Sequence, residues 1–417
     1  MTEVILMLKN RNKLNSRFTF YLFGFLQLFL VNTISANANN FLEDARFSIP
    51  SGSDQDEKNT MMKVSPDIGL KGIKYVVIGL GQGGSQMASA FFDLGYRKVV
   101  ALNTNKQDFK NSSIPEENRF VCRGKNNLGG AGKNPNLARS VFEQCENDIF
   151  SFLKNQIGDD FEHVMLTIGA GGGTGNGFSL PMFELIKEYM LSLDKPVRIG
   201  AILSMPRAGE SARVESNASS LLLDFYEKTL NKELYPLVIS DNKMINKLFP
   251  NISAKAFWPA ANRFTIGAFD VFNMSAAMDS DYMTFDAADY LDVLQSGVIT
   301  FGASLVRPSN KETLLSDGFK LNLERTMSSF GFNLKEATHV AAIIQANDTY
   351  LSSIPMRRID DSFQSLQRLL NPKGRYNFTL HQGVYEHESS SVHVYTMVGG
   401  LTIPESTLTL LKQKTGR

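Results

Sequence analysis

Residues Gly169–Gly177 read GAGGGTGNG, six glycines in nine positions. The run stands between an apolar stretch, His163–Ile168 (HVMLTI), and a helical pattern, FSLPMFELIKEYM, at 178–190. A flexible linker has similar composition, but a linker has no reason to join a buried strand to an amphipathic helix. The physical alternative is an anion cradle. Residues without a Cβ let backbone N–H groups close on phosphate oxygens, and the helix N-terminus adds partial positive charge. Thr174 and Asn176 offer side-chain hydrogen bonds to the same oxygens. With no lysine inside it, the run is not a Walker A loop.

Upstream, Lys74–Met87 reads KYVVIGLGQGGSQM. Gly79, Gly81 and Gly84 satisfy the G-x-G-x-x-G dinucleotide fingerprint between an expected strand (Tyr75–Ile78) and an expected helix (about Gln86–Leu94). A nicotinamide site also needs an acid at the tip of the second strand, about 20 residues on. Here that strand, KVVALNTNK, ends in Asn103, Thr104 and Asn105. A third glycine loop, NLGGAGKNP, covers Asn127–Pro135. One dinucleotide needs one such loop; several, gathered at the carboxyl ends of parallel strands, surround a single polyphosphate from different sides.

In this order the motifs resemble those of the tubulin and FtsZ family. GAGGGTGNG looks like its signature loop, GLGQGGSQ its first phosphate loop, ALNTN its second and GGAGKNP its third. MPRAGESAR is similar to the segment that approaches ribose and phosphates, VISDNKM to a strand-to-loop segment, and AFWPAANRF to the start of a central helix that reads guanine. The resemblance covers about Gly72–Gly400. It implies an α/β fold: a Rossmann-like parallel-sheet GTPase domain (61–259), a long central helix with the loop after it (260–292), and a smaller α+β C-terminal domain (293–400). It also implies that GTP or GDP, with Mg²⁺, meets Gly81, Gln82, Gly83, Gly84 and Gln86 of the first loop, Asn105 of the second, and Ala131, Gly132 and Asn134 of the third. Gly171, Gly172, Gly173, Thr174, Gly175 and Asn176 of the signature loop, with Glu210, Arg213 and Asn262, complete the implied set. Two residues depart from the FtsZ pattern: Asn105 and Arg263 stand where aspartates are usual.

The stretch TFDAADYLDVL, Thr284–Leu294, places Asp286 and Asp289 three apart, on one face if helical. Spacing alone fits a solvated helix start with acids favoured by the dipole. The stretch is similar to the family's synergy loop, N-x-D-x-x-D, with Thr284 in the Asn place. That resemblance implies that both acids are catalytic and act on the nucleotide of the next subunit in a head-to-tail homopolymer. The other reading is a degenerate member that binds nucleotide and regulates another filament without hydrolysis.

Composition sets outer bounds. A chain of 417 residues, 43% hydrophobic, buries a sizeable core, and 43 basic against 42 acidic residues leave a formal charge of +1. No global attraction to nucleic acid or anionic membrane follows, and no direct nucleic-acid binding is expected. Cys122 and Cys145 form neither a disulfide framework nor a zinc motif, and the five histidines, His163, His339, His381, His387 and His393, read as satisfied or exposed side chains. Residues 1–60 differ from the rest: Lys9, Arg11, Lys13 and Arg17 precede the apolar run Phe18–Val31, and SANA follows. That segment reads as a signal peptide, an organelle leader, or sequence translated upstream of a start at Met61 or Met62. Membrane contact is expected only if residues 18–31 are retained, and the body is expected to be cytoplasmic. Residues 401–417 form a short tail without a visible adaptor motif, so the adaptor of such a filament is unknown from the sequence.

Overall fold

The computed structural model describes residues 71–124, 129–306, 315–389, 391–404 and 407. The leader, Asn127 and Leu128 of the third glycine loop, and the tail beyond Pro404 apart from Thr407 lie outside the described residues. In chain order the strands are β1 (Tyr75–Leu80), β2 (Val99–Asn103), β3 (Arg119–Val121), β4 (His163–Gly169), β5 (Ile199–Met205), β6 (Leu237–Asp241), β7 (Val298–Val306), β8 (His339–Ala346), β9 (Thr379–Glu386) and β10 (Val392–Leu401). The helices are α1 (Gly81–Asp93), α2 (Pro135–Ile157), α3 (Gly173–Ser192), α4 (Ala212–Leu230), α5 (Asn242–Leu248), α6 (Ala254–Ser275), α7 (Ala287–Gln295), α8 (Leu315–Arg325), α9 (Asp348–Ser353) and α10 (Met356–Leu370).

All ten strands join one sheet, ordered β3-β2-β1-β4-β5-β6-β7-β10-β8-β9. From β3 to β7 the pairing is parallel, while β10 runs antiparallel to both β7 and β8, and β9 is a parallel edge strand on β8. In the sequence, THVAAIIQA (338–346) and SVHVYTMVGG (391–400) read as the strands of the C-terminal part, with none joining it to the rest. That join is β7, which meets β6 at only two positions, Leu237↔Val298 and Val238↔Ile299.

Both faces of the parallel part are covered, so its strands are apolar throughout and each feeds two cores in alternation. In β1, Val76, Ile78 and Leu80 face the core under α2, α3 and α4, whereas Tyr75 and Val77 face the core under α1, α6 and α7. The same alternation brings His163, the first residue of β4, to full burial, where its Nδ1 donates to the Val164 carbonyl at 3.1 Å. Burial pushes its pKa down to about 3. The unfolded chain therefore binds the extra proton between that value and about 6.5, so stability is held above this window and lost as pH falls through it. Lowering the pH below 6 is expected to reduce the urea midpoint, by up to about 1.4 kcal/mol of stability per pH unit from this group. In His163→Phe, which keeps a ring beside Tyr75 and Tyr235, a pH slope equal to that of the parent would refute this assignment.

The central helix departs from its expected bounds. Sequence spacing places it at about Ala260–Ala277, after Pro259, but α6 begins at Ala254, with the Ser253 hydroxyl accepting from Ala256 N at 3.2 Å. The apolar stripe expected for it, Phe264, Ala268, Val271, Phe272 and Ser275, is buried as a set. Its C-terminal end is anchored beside the start of β1: Gly72 N donates to Asn273 O at 2.8 Å, Ile73 N to Asn273 Oδ1 at 2.8 Å, and Lys71 pairs with the buried Asp270. Twenty-two residues of helix span about 33 Å, so α6 reaches from the carboxyl ends of the strands to their amino ends.

Candidate nucleotide-binding site and acidic edge

The glycine runs are not loose loops. The helix expected from about Gln86 already starts at Gly81, and the signature run enters α3 at Gly173. Glycine disfavours helix interiors, which hides these first turns from a propensity reading. Two helix N-termini, each with unsatisfied amides, thus sit side by side after β1 and β4. Gly81, at φ +69°, turns the chain from strand into helix, and a Cβ there would stand 2.6 Å from Gly175 N. At Gly173 a Cβ would stand 2.8 Å from Asn134 N and 2.9 Å from the Ala131 Cβ. The missing side chains therefore allow the first, third and signature loops to touch. The second loop joins through Thr104, whose Oγ1 lies 2.7 Å from that of Thr174.

The third loop is shaped by left-handed Gly132 and Lys133 and ends at Asn134, which caps α2 by accepting from Leu137 N at 3.4 Å. Gly83 approaches the backbone of Gly169, Gly84 is buried behind it, and Gly172 is exposed. Gln82 is exposed and Gln86 half-buried on α1. Asn105 accepts from Gln107 N at 3.0 Å, which shapes the turn after β2. Asn176 differs from its expected use. Its amide donates to Ala170 O at 2.9 Å and Asn217 O at 2.8 Å, so both hydrogens hold the loop rather than face a ligand. Asn217 in turn donates to Lys133 O at 3.1 Å and Gly171 O at 3.2 Å, knotting α4 to two of the glycine loops. Sequence reasoning missed it, because nothing local distinguishes Asn217 from another polar residue on a helix face.

Val214 covers Gly171, which sets the start of α4 against the signature loop and puts half-buried Glu210 and exposed Arg213 at that rim. In the same segment the Arg207 guanidinium stands over the rings of Trp258 (5.2 Å) and Phe257 (5.6 Å), linking the β5–α4 loop to the first turns of α6. Asn262, half-buried, lies just beyond on α6. Arg263 acts on Asp93, the last residue of α1: burial raises the Asp93 carboxyl, and Ser113 and then Arg263 oppose that rise. The arginine that departs from the family pattern thus has a partner within this fold. Among the described residues no group of three or more His, Cys, Asp or Glu could hold a metal ion.

The two acids lie at the other end of α6. Asp286 is the N-cap of α7, accepting from Ala288 N at 2.8 Å and Asp289 N at 2.9 Å, and Asp289 returns a contact to Asp286 N at 3.4 Å, a reciprocal capping box. The loop before it is stitched to the edge strand. Val384 N donates to Met283 O at 2.9 Å, Phe285 N to the Tyr385 hydroxyl at 2.8 Å, and that hydroxyl to Phe285 O at 3.0 Å.

Several glycine-lined helix starts converge at the carboxyl ends of a parallel sheet, the arrangement that phosphate-binding α/β proteins use. Residues 74–249 match the family described as Tubulin/FtsZ family, GTPase domain. Among curated proteins it is 26% identical over 256 residues to the tubulin-like protein TubZ of Bacillus cereus, covering 57% of this chain and 56% of that one. It is 32% identical over 174 residues to the cell division protein FtsZ of Helicobacter pylori, covering 39% and 43%. The chain thus spans about half the length of the curated relatives it matches. Its fold is shared with TubZ of Bacillus thuringiensis serovar israelensis, solved as a GTPγS-form protofilament, at a TM-score of 0.72 and 17% identity over 87% of this chain and 96% of that one. No helix among the described residues is long and apolar enough to cross a membrane.

Proposed function

We propose that this chain binds GTP in the glycine cradle and hydrolyses it only when assembled head to tail with copies of itself, as a filament serving cell division or replicon segregation. The observation that carries the reading is separation: the cradle and the acidic pair sit at opposite ends of α6, a helix of 22 residues, about 33 Å long. Asp286 and Asp289 are out of reach of a nucleotide in their own chain, and a second copy stacked on the first brings them to it. Such a contact is heterologous and need not close into a ring.

At that junction the helix-start amides bind and polarise the γ-phosphate, and Mg²⁺ carried with the nucleotide would offset its charge. A carboxylate of the acidic edge orients a water and accepts its proton as the water attacks phosphorus, the β–γ bridge breaks, and GDP and phosphate result. The test is sedimentation of the full chain with GTP, GDP and a slowly hydrolysed analogue, with phosphate release followed against protein concentration. Polymer is expected with GTP and the analogue, and turnover per subunit should rise steeply above a critical concentration. Equal specific turnover in dilute and concentrated solution would overturn the reading.

A further inference from the structure

The edge strand β9 carries a histidine that reaches α7. Side chains at alternate positions of a strand share a face, and here the face of His381, Gly383 and Tyr385 supports the acidic loop. Tyr385 holds Phe285 by two hydrogen bonds, and the bare Cα of Gly383 leaves room for Phe285, whose Cβ would be 3.1 Å from an added methyl. His381 stands farther along, with Nδ1 2.8 Å from Asp289 Oδ1 and Nε2 2.8 Å from Asp292 Oδ2. His339, on the neighbouring β8, faces Asp292 Oδ2 at 3.8 Å. The imidazole is 16% exposed, against 32% for Asp289 and 44% for Asp292. The ring is thus roofed by acids that themselves remain open to solvent.

We propose that His381 is a positioning residue for hydrolysis, gripping Asp289 and Asp292 together so that the acidic edge of α7 is held rigid, and part of its charge offset, as it meets a neighbour's triphosphate. This rests on the function proposed above. Three carboxylates, Asp286 at the N-cap, Asp289 in the first turn and Asp292 one turn further on, belong to one nine-residue helix, and all must approach a polyanion. Unaided, that approach is repulsive. A carboxylate only accepts, so a ring nitrogen holds the acid it faces by donating a hydrogen to it, and only a ring with a hydrogen on each nitrogen grips both acids at once. The rigidity passes on directly. Asp289 uses Oδ1 for His381 and Oδ2 for the backbone of Asp286, so loosening the ring frees the capping box that orients Asp286.

The experiment compares the full chain with His381→Gln, His381→Lys and Asp292→Asn, measuring phosphate release per polymerised subunit separately from critical concentration and from GTP affinity of the monomer. His381→Gln is expected to lower turnover in the polymer by about tenfold, as loss of an orienting partner does, with monomer affinity unchanged. His381→Lys supplies a positive charge but puts all its donors on one nitrogen, which does not meet both acids as the ring does, and should keep the parent's critical concentration without the parent's turnover. Turnover within twofold of the parent at matched polymer mass overturns the positioning role. So do additive shifts of the urea midpoint in His381→Gln, Asp292→Asn and their double variant, which would show that the bridge does not form. A parent polymer that never releases phosphate instead overturns the GTPase reading itself.

Discussion

Asp286→Asn is expected to leave monomer affinity for GTP unchanged and to slow phosphate release in the polymer by about a hundredfold, the lower range for loss of a proton acceptor. Asparagine is the informative replacement because its side-chain oxygen still caps α7, accepting from Ala288 N and Asp289 N as the carboxylate does. Alanine would remove the cap as well, at about 1 kcal/mol of stability. Since the pocket and the acids come from different copies, the defect should be complemented in trans. A subunit with an intact edge but a damaged pocket, mixed with Asp286→Asn, regains turnover at the junctions where intact parts meet. Failure of every such mixture, with both variants present in one polymer, would show that the acids serve their own chain.

The damaged pocket is supplied by Gly173→Ala. A methyl there would lie 2.8 Å from Asn134 N and 3.1 Å from Lys133 N, both backbone atoms, so the third loop must move off the signature loop. GTP affinity is expected to fall by about a hundredfold, or about 2.7 kcal/mol, because amides that converge on one polyphosphate lose their common focus. Gly172→Ala is the steric control: its methyl would meet only Gly169 O, at 3.5 Å. If the two variants bind a fluorescent guanine nucleotide equally well, contact between the loops does not shape the cradle.

Much of this site is written locally. Glycine runs between a buried strand and a helix are visible because both the backbone freedom and the flanking periodicity lie within about fifteen residues, and Asp286 and Asp289 are visible at their three-residue spacing. What stayed hidden depends on chain segments meeting. His381 approaches Asp292 across a separation of 89 residues, and as one of five scattered histidines it reads as an ordinary satisfied side chain. Asn217 spans three elements in the same way. Strand β9 was missed because its outer half is polar and partly exposed, as befits an edge. The starts of α1 and α3 were displaced because glycine argues against helix wherever intrinsic preference is the only guide.

Strand β9 ends the sheet, and the residues before α7 cover part of its free border through Met283 and Ser280, both bonded to Val384. An uncovered border is adhesive toward other chains. Substitutions that loosen this segment therefore create clumps that sediment without any nucleotide. A pellet alone cannot count as assembly for such variants; electron microscopy of ordered fibres must accompany it.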